Sequence, residues 1–318
     1  MHVGLESLID AELAAYVEDS RAFYAARAAS AGSDSPPDPS TPEGLQEARA
    51  LEEARSRRSV SATPRGPRPV EALAEVAGRR VPVRIFAPEM GTAHGVYLDI
   101  HGGGFYMGLA ARGDAHNRRL AHALGVAVVS VDYRLAPEHP WPAAPEDCET
   151  AALWLVEQAD ARFGTTSLAI GGVSAGATLA MTTLLRLRAR GVATAFAGAA
   201  LQFGTYDMSG QTPAGRLLDG EFFIQAYAGD VADRTDPDIS PVYGDLRGLP
   251  PALLVVGSTD VLLGDNLVMA ARLSAAGGEV DVRVYPASPH GFTLHPTAMA
   301  SAALNDIESW LGDRFLEA

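Results

Sequence analysis

Ser174 sits in the centre of Gly172-Val173-Ser174-Ala175-Gly176, and upstream of it runs His101-Gly102-Gly103-Gly104-Phe105. In a G-x-S-x-G elbow the serine occupies a strained turn between a strand and a helix. Glycine is needed two residues to either side, because a Cβ there would strike neighbouring backbone. Such a turn holds the Ser174 hydroxyl in the open, where it can attack a carbonyl carbon. The glycines after His101 let backbone N–H groups come close to the carbonyl oxygen, so the N–H groups of Gly103 and Gly104, joined by that of Ala175, are the expected oxyanion hole. The two segments together suggest acyl transfer.

A serine hydroxyl is a poor nucleophile at neutral pH and needs a histidine to take its proton and a carboxylate to orient that histidine. Of the eight histidines in the chain, His290 follows a strand-like run, Glu279 to Tyr285, in the loop Pro286 to Phe292. Asp260 comes one strand earlier, just past Leu253 to Gly257. The order Ser174, Asp260, His290 is a known order of nucleophile, acid and base. Asp265 is the competing carboxylate and reads as a helix-start charge stabilised by the helix dipole. His101 reads as a structural hydrogen-bonder, and His94, His116 and His295 as solvated surface groups. The glycines lack a following Gly-Lys-Ser/Thr, which argues against a phosphate loop.

These side chains need a scaffold, and the pattern supplies one. Gly95 to Ile100 is a strand running into the glycine run, Ser167 to Gly171 is a strand running into the elbow, and Ala177 to Arg186 is a helix leaving it. From Val70 onward short apolar runs alternate with helix-length segments, which predicts a doubly wound, mostly parallel sheet with its ligand crevice at the strands' carboxyl ends. Before it, Leu5, Leu8, Ile9, Leu13 and Tyr16 fall at helical spacing, Ala31 to Pro42 is a loop rich in Ser, Pro, Gly and Asp, and Glu43 to Arg58 is helix-like. The organisation expected is an N-terminal cap arm over residues 1–60, a core over 61–206, a cap insertion over 207–249 and the rest of the core over 250–318. Arm and insertion are expected to pack together. Phe105 and the cluster Phe222, Phe223 and Tyr227 are candidates to line an acyl or alcohol pocket.

The segment Asp132-Tyr133-Arg134-Leu135-Ala136-Pro137-Glu138-His139-Pro140-Trp141-Pro142-Ala143-Ala144 follows the strand Val126 to Val131. Its prolines fix φ and withhold donors, so it is a stiff loop. With His101 to Phe105, Gly172 to Gly176, and Asp260-Val261-Leu262 with His290-Gly291-Phe292, it makes the chain from about residue 70 onward resemble the bacterial hormone-sensitive-lipase-like esterases of the α/β-hydrolase superfamily. The resemblance implies an α/β-hydrolase fold, with an eight-stranded, mostly parallel sheet flanked by helices under a helical cap. It also implies Ser174, Asp260 and His290 as the triad and the Gly103, Gly104 and Ala175 N–H groups as the oxyanion hole. It favours reading Asp132, Arg134 and Glu138 as a buried network bracing the oxyanion loop rather than as surface charges. Many relatives carry Asp before the nucleophile and Gly after the elbow, where this chain has Val173 and Ala177, a difference that bears on local polarity.

A net charge of −14 disfavours nucleic acid and anionic membranes, which need clustered Lys and Arg. The N-terminal residues show no basic start and no continuous apolar core, so the expectation is a cytoplasmic protein without a secretory signal or membrane span. Cys148 is the only cysteine; it falls in a helix-like stretch from Pro145 to Gln158 and reads as a small buried hydrophobe. No metal-ligand spacing is found, so no cofactor and no metal are expected. The partner expected is a small ester, and monomer and homodimer both stay open. The activity expected is hydrolysis of short-chain, uncharged acyl esters. Two rivals are an amidase or deacetylase of a small N-acyl compound, and a non-hydrolytic receptor on the same fold, against which the presence of His290 argues.

Overall fold

Short, mostly apolar and almost wholly buried runs become the central strands. In the computed structural model, which describes residues 5–30, 37–62, 68–88, 92–218 and 220–317, the strands are β1 (Val70–Val76), β2 (Arg79–Phe86), β3 (Val96–Ile100), β4 (Ala127–Val131), β5 (Leu168–Val173), β6 (Phe196–Gln202), β7 (Ala252–Gly257) and β8 (Val280–Tyr285). They form one sheet in the order β1-β2-β4-β3-β5-β6-β7-β8. β2 pairs antiparallel with β1 and β4, and the pairings from β4 to β8 are parallel. Every residue of β4 and β7 is buried, as expected of parallel strands covered on both faces. β1, at the edge, is half exposed and carries Glu71 and Glu75, charges that discourage edge-to-edge pairing. The β1–β2 hairpin turns on Ala77 and Gly78, both at positive φ (50° and 80°), which suits the twist of a two-residue turn.

The helices are α1 (Val17–Ser30), α2 (Pro42–Ala62), α3 (Asp114–Leu124), α4 (Ala143–Phe163), α5 (Ala175–Ala189), α6 (Phe222–Ala228), α7 (Leu263–Ala275) and α8 (Ala298–Glu317). On one face of the sheet, side chains of α4, α5 and α7 such as Leu155, Leu184 and Met269 join Leu98, Ile170 and Leu254 in one core. On the other, Leu120 of α3 and Ile307 and Leu311 of α8 pack with Val128, Ala200 and Val255. Leu13, buried, and the partly buried Leu5, Leu8, Ile9, Tyr16 and Tyr24 join this second core. Cys148 is buried in α4, where burial pushes its thiol well above the ordinary value, so it packs as a small hydrophobe.

Among the described residues, the helices of the N-terminal arm and those of the insertion make their main contacts with the rest of the fold rather than with each other. α1 lies against α8, and α2 lies against α3 and the 3-10 turn before it. The insertion is irregular apart from α6 and two 3-10 turns, and its Ile224, Tyr227 and Val242 belong to the first core rather than the second. Each segment docks on the body of the fold through its own contacts, and both border the same cavity. The first part of the expected Ala31–Pro42 loop, 31–36, lies outside the described residues.

Candidate active site

The elbow is built by close backbone approach. β5 runs into Ser174, whose φ of 54° and ψ of −122° place it outside the comfortable regions for a side-chain-bearing residue. α5 begins at the next residue. A Cβ on Gly172 or on Gly176 would be driven into the carbonyl oxygen of Ile100 at the end of β3, so glycine is the residue that fits at both positions. The Ser174 N–H donates to the Gln202 carbonyl at 2.8 Å, tying the turn to the end of β6.

Ser174 Oγ lies 3.0 Å from His290 Nε2. His290 Nδ1 lies 3.1 and 3.0 Å from the two carboxylate oxygens of Asp260, and Oδ1 of that carboxylate also accepts the Leu262 N–H at 2.8 Å. The Asp260 side chain is wholly buried, whereas that of His290 is 39% exposed. The two loops are stitched together: Ser258 N donates to Tyr285 O at 2.8 Å, Thr259 N to Ser288 O at 3.1 Å, and Ala287 N to Ser258 Oγ at 3.0 Å. The Phe203 ring meets the His290 ring edge-on, with centroids 5.0 Å apart. Ser174, Asp260 and His290 are thus brought together at the carboxyl ends of β5, β7 and β8.

Asp265 goes elsewhere. It sits in the first turn of α7, but it is buried, and its Oδ2 accepts the N–H groups of Tyr206 at 2.5 Å and Asp207 at 3.2 Å. Burial pushes its carboxyl up to about 6. The helix dipole expected to favour its charge is outweighed by desolvation.

Gly103, Gly104 and Phe105 have φ values of 120°, 59° and 65°. This curls the loop so that Tyr106 N and Met107 N both donate to the Gly103 carbonyl, at 3.2 and 3.0 Å. Among the described residues, the N–H groups of Gly103, Gly104 and Ala175 donate to no other protein group, and all three residues line the same cavity as Ser174. His101 is buried; its Nδ1 bonds the Gly102 carbonyl at 2.8 Å and its ring stacks on Tyr133 with centroids 4.1 Å apart. Burial pushes its imidazole below the ordinary value, leaving a neutral ring that donates through Nδ1. The structural role expected for His101 fits these contacts.

The cavity measures about 1210 Å³ and opens to solvent, larger than a small enclosed pocket. Phe105 and Phe223 are on its wall with Val173, Phe203, Leu218 and Leu262, whereas Phe222 and Tyr227 are not. Tyr227 is buried behind Phe105, stacked at 4.0 Å, and Phe222 packs edge-on against Tyr106 at 5.1 Å. Both therefore support wall residues instead of facing a ligand. A polar part of the wall, including Arg27, Glu52, Asp99, Arg112 and Asn117, belongs to the same cavity. Among the histidines expected at the surface, His94 is exposed, but His116 and His295 are half-buried on this wall. Tyr24 on α1 holds His295 Nδ1 at 3.1 Å, and burial lowers both imidazoles.

The charges after β4 do not form one buried network. Asp132, Arg134 and Glu138 are exposed and each finds its own partner. Asp132 Oδ1 accepts the Ala110 N–H at 3.0 Å, Arg134 grips Asp147 on α4, and Glu138 pairs with Arg49 on α2. Three separate anchors replace the shared brace, because the proline-stiffened loop points these side chains to different elements. Tyr133, between them, donates its hydroxyl to the His101 carbonyl at 3.0 Å. The contribution of Arg49 carried no signal in a helix-like stretch with several other arginines, and Tyr24 and His295 came into the site only through the packing of α1.

The pattern of the α/β-hydrolase fold family matches residues 97–294. Over 228 residues the chain is 36% identical to "Carboxylic ester hydrolase LipN" of Mycobacterium tuberculosis, covering 67% of this chain and 61% of that protein. Over 229 residues it is 34% identical to "Ethyl acetate hydrolase" of Pseudomonas putida, covering 68% and 72%. The matched region thus spans about three fifths of the mycobacterial relative's length. A solved structure described as a hormone-sensitive lipase from a metagenome library superposes with a TM-score of 0.75 at 29% identity, covering 94% of this chain and 98% of that one. With this match over most of the sheet and both halves of the candidate site, the chain belongs to the α/β-hydrolase fold family, in its hormone-sensitive-lipase-like branch.

Proposed function

We propose that this protein is a serine carboxylesterase acting on short-chain acyl esters, with Ser174, His290 and Asp260 as its triad and the N–H groups of Gly103, Gly104 and Ala175 as its oxyanion hole. The observation that carries the reading is the unbroken relay from Ser174 Oγ through His290 to the buried Asp260 carboxylate, at 3.0 to 3.1 Å per step. As Oγ bonds to the ester carbonyl carbon, its proton passes to His290 Nε2, and the Asp260 carboxylate stabilises the imidazolium through Nδ1–H. The carbonyl oxygen takes the negative charge and meets the three N–H groups, which donate to no other group among the described residues. Collapse of the adduct breaks the bond to the alcohol oxygen, which leaves with the proton from His290. Water then attacks the acyl-serine by the same route and releases the acid. The relay needs no metal and no redox group.

The relatives' names support ester substrates, and the name of the P. putida protein points to an ester with a two-carbon acyl group. The receptor alternative loses ground because His290 is present and in contact with Ser174. Among the described residues no helix is long and apolar enough to cross a membrane, and the proposed substrate is a small ester reached from solution. A panel of p-nitrophenyl esters tests the reading. Turnover should concentrate at roughly C2 to C8 acyl groups, the short end of the series to which the P. putida relative's name points. Preference for long-chain emulsions, or faster cleavage of matching anilides than of esters, would replace it with a lipase or an amidase.

A further inference from the structure

The oxyanion loop holds a conformation that its own sequence does not secure. Phe105 sits at φ 65°, a left-handed conformation that disfavours a side-chain-bearing residue, and the two glycines before it have many alternatives. The carbonyls just after the proposed N–H donors are taken by groups from elsewhere. Ala136 N donates to Phe105 O at 2.9 Å. The next carbonyl, that of Tyr106, accepts from Arg49 Nε at 2.9 Å, and Arg49 lies 57 residues away on α2. The same guanidinium donates through Nη2 to Ala136 O at 2.8 Å, and through Nη1 and Nη2 to the two oxygens of Glu138 at 2.6 and 2.9 Å. One planar fork therefore spans the oxyanion loop and the loop that braces it, a task suited to arginine because its donors are fixed in direction. Three residues along the same face of α2, Glu52 pairs at 2.6 Å with Arg112, in the 3-10 turn Ala110–Gly113 that follows the loop. Helix α2 thus grips the segment at both ends.

We infer that Arg49 is a positioning residue for the oxyanion hole: through the Tyr106 and Ala136 carbonyls, the N-terminal helix α2 sets the aim of the Gly103 and Gly104 N–H groups. The inference rests on the proposal that those N–H groups stabilise the oxyanion. An interaction that acts only on the charged adduct changes kcat and leaves KM in place. Misaiming a donor by a fraction of an ångström costs about 10- to 100-fold in rate.

Arg49→Ala, Arg49→Lys and Glu138→Gln are to be compared with the unaltered enzyme in kcat, KM and melting temperature. They are also to be compared in affinity for a short alkyl trifluoromethyl ketone, which forms an anionic adduct on Ser174. Rates are normalised to active sites by stoichiometric phosphonate labelling. Arg49→Ala should lower kcat and ketone affinity by the same factor, about 10- to 100-fold, with KM within about twofold. Arg49→Lys should fall between. Glu138→Gln keeps both carbonyl contacts and should stay within about threefold in kcat, even where its melting temperature drops. The inference is overturned if Arg49→Ala leaves the ketone affinity of the labelled sites unchanged, or if Glu138→Gln loses as much kcat as Arg49→Ala, since either result reduces Arg49 to a stabilising ion pair. Failure of the underlying reading looks different: the unaltered enzyme itself would resist the ketone, or Ser174→Ala would keep its activity.

Discussion

The two halves of the site are held in place by opposite means. The elbow around Ser174 is fixed by close backbone approach: its glycines' bare Cα atoms let β5 and α5 close on the Ile100 carbonyl, and one N–H bond ties it to the Gln202 carbonyl. The loop from His101 to Gly108 is fixed from outside, by Tyr133 and Ala136 after β4, by Arg49 on α2, and by the rings of Tyr227 and Phe222 from the insertion. A nucleophile can be placed by sterics because it needs one position of one atom. An anion hole needs several N–H vectors to converge, and a flexible glycine run converges only where distant partners hold it. Changes in the elbow should therefore act all-or-none, and changes around the loop should be graded.

The largest effects are expected at the elbow. Ser174→Ala removes one oxygen from a turn its glycines already define, so turnover should fall by about 10⁴-fold or more while circular dichroism is unchanged. Gly176→Ala should fail differently, because its Cβ meets the Ile100 carbonyl; the protein should be recovered poorly folded or with a melting temperature many degrees lower. A well-folded, active Gly176→Ala would mean that the elbow is not set by close approach. Asp260→Asn comes next: the His290 ring loses the carboxylate that holds its tautomer, and a loss in kcat approaching 10⁴-fold is expected, against near-normal kcat for Asp265→Asn. The reverse ranking, read in the same ester assay, would transfer the acid's role to Asp265.

The same contrast explains what could be read from the chain alone. The buried runs of β3, β4, β5 and β7, the half-buried β8, and the placing of Ser174, Asp260 and His290 at strand ends follow from local patterns that sterics enforce. The pocket was less legible. Phe222, Phe223 and Tyr227 are one short aromatic cluster in sequence, yet only Phe223 reaches the cavity wall, because a single turn of α6 sends its neighbours to Tyr106 and behind Phe105. The charges Asp132, Arg134 and Glu138, close in sequence, separate to three elements because the proline-stiffened loop turns each toward a different neighbour. Arg49 and Tyr24 enter through contacts between elements far apart in the chain, and no short-range pattern encodes such contacts.

Graded effects are expected around the loop. Tyr133→Phe removes the hydrogen bond to the His101 carbonyl and keeps the ring stacked on the imidazole, so the loop loses one tether of several. A neutral hydrogen bond contributes about 1 kcal/mol, and kcat should drop about two- to tenfold with little change in KM. A loss as large as that of Ser174→Ala would show the loop to be as brittle as the elbow and would erase the contrast.

The smallest effect on turnover, and a test of how self-sufficient the elbow is, belongs to Asp265. Behind the elbow, Thr178 on α5 exchanges hydrogen bonds with both backbone groups of Thr205, and Asp265 holds the next two N–H groups of that segment. Its carboxyl is raised to about 6 from an ordinary 3.8. Between those values the folded protein binds more protons at this site than the unfolded chain does, so its stability falls as pH rises through the window and stays lower above it. The preference for the protonated carboxyl is worth at most about 3 kcal/mol. Asp265→Asn carries no titrating charge, so the melting temperature of the unaltered protein minus that of the variant should decline from about pH 4 to about pH 7 and then level off. Activity at neutral pH should change by less than about threefold, the cost of roughly half a kcal/mol. A temperature difference independent of pH would mean that Asp265 stays ionised throughout. A large loss of kcat in the variant would make the elbow, like the loop, dependent on a polar side chain from a distant element.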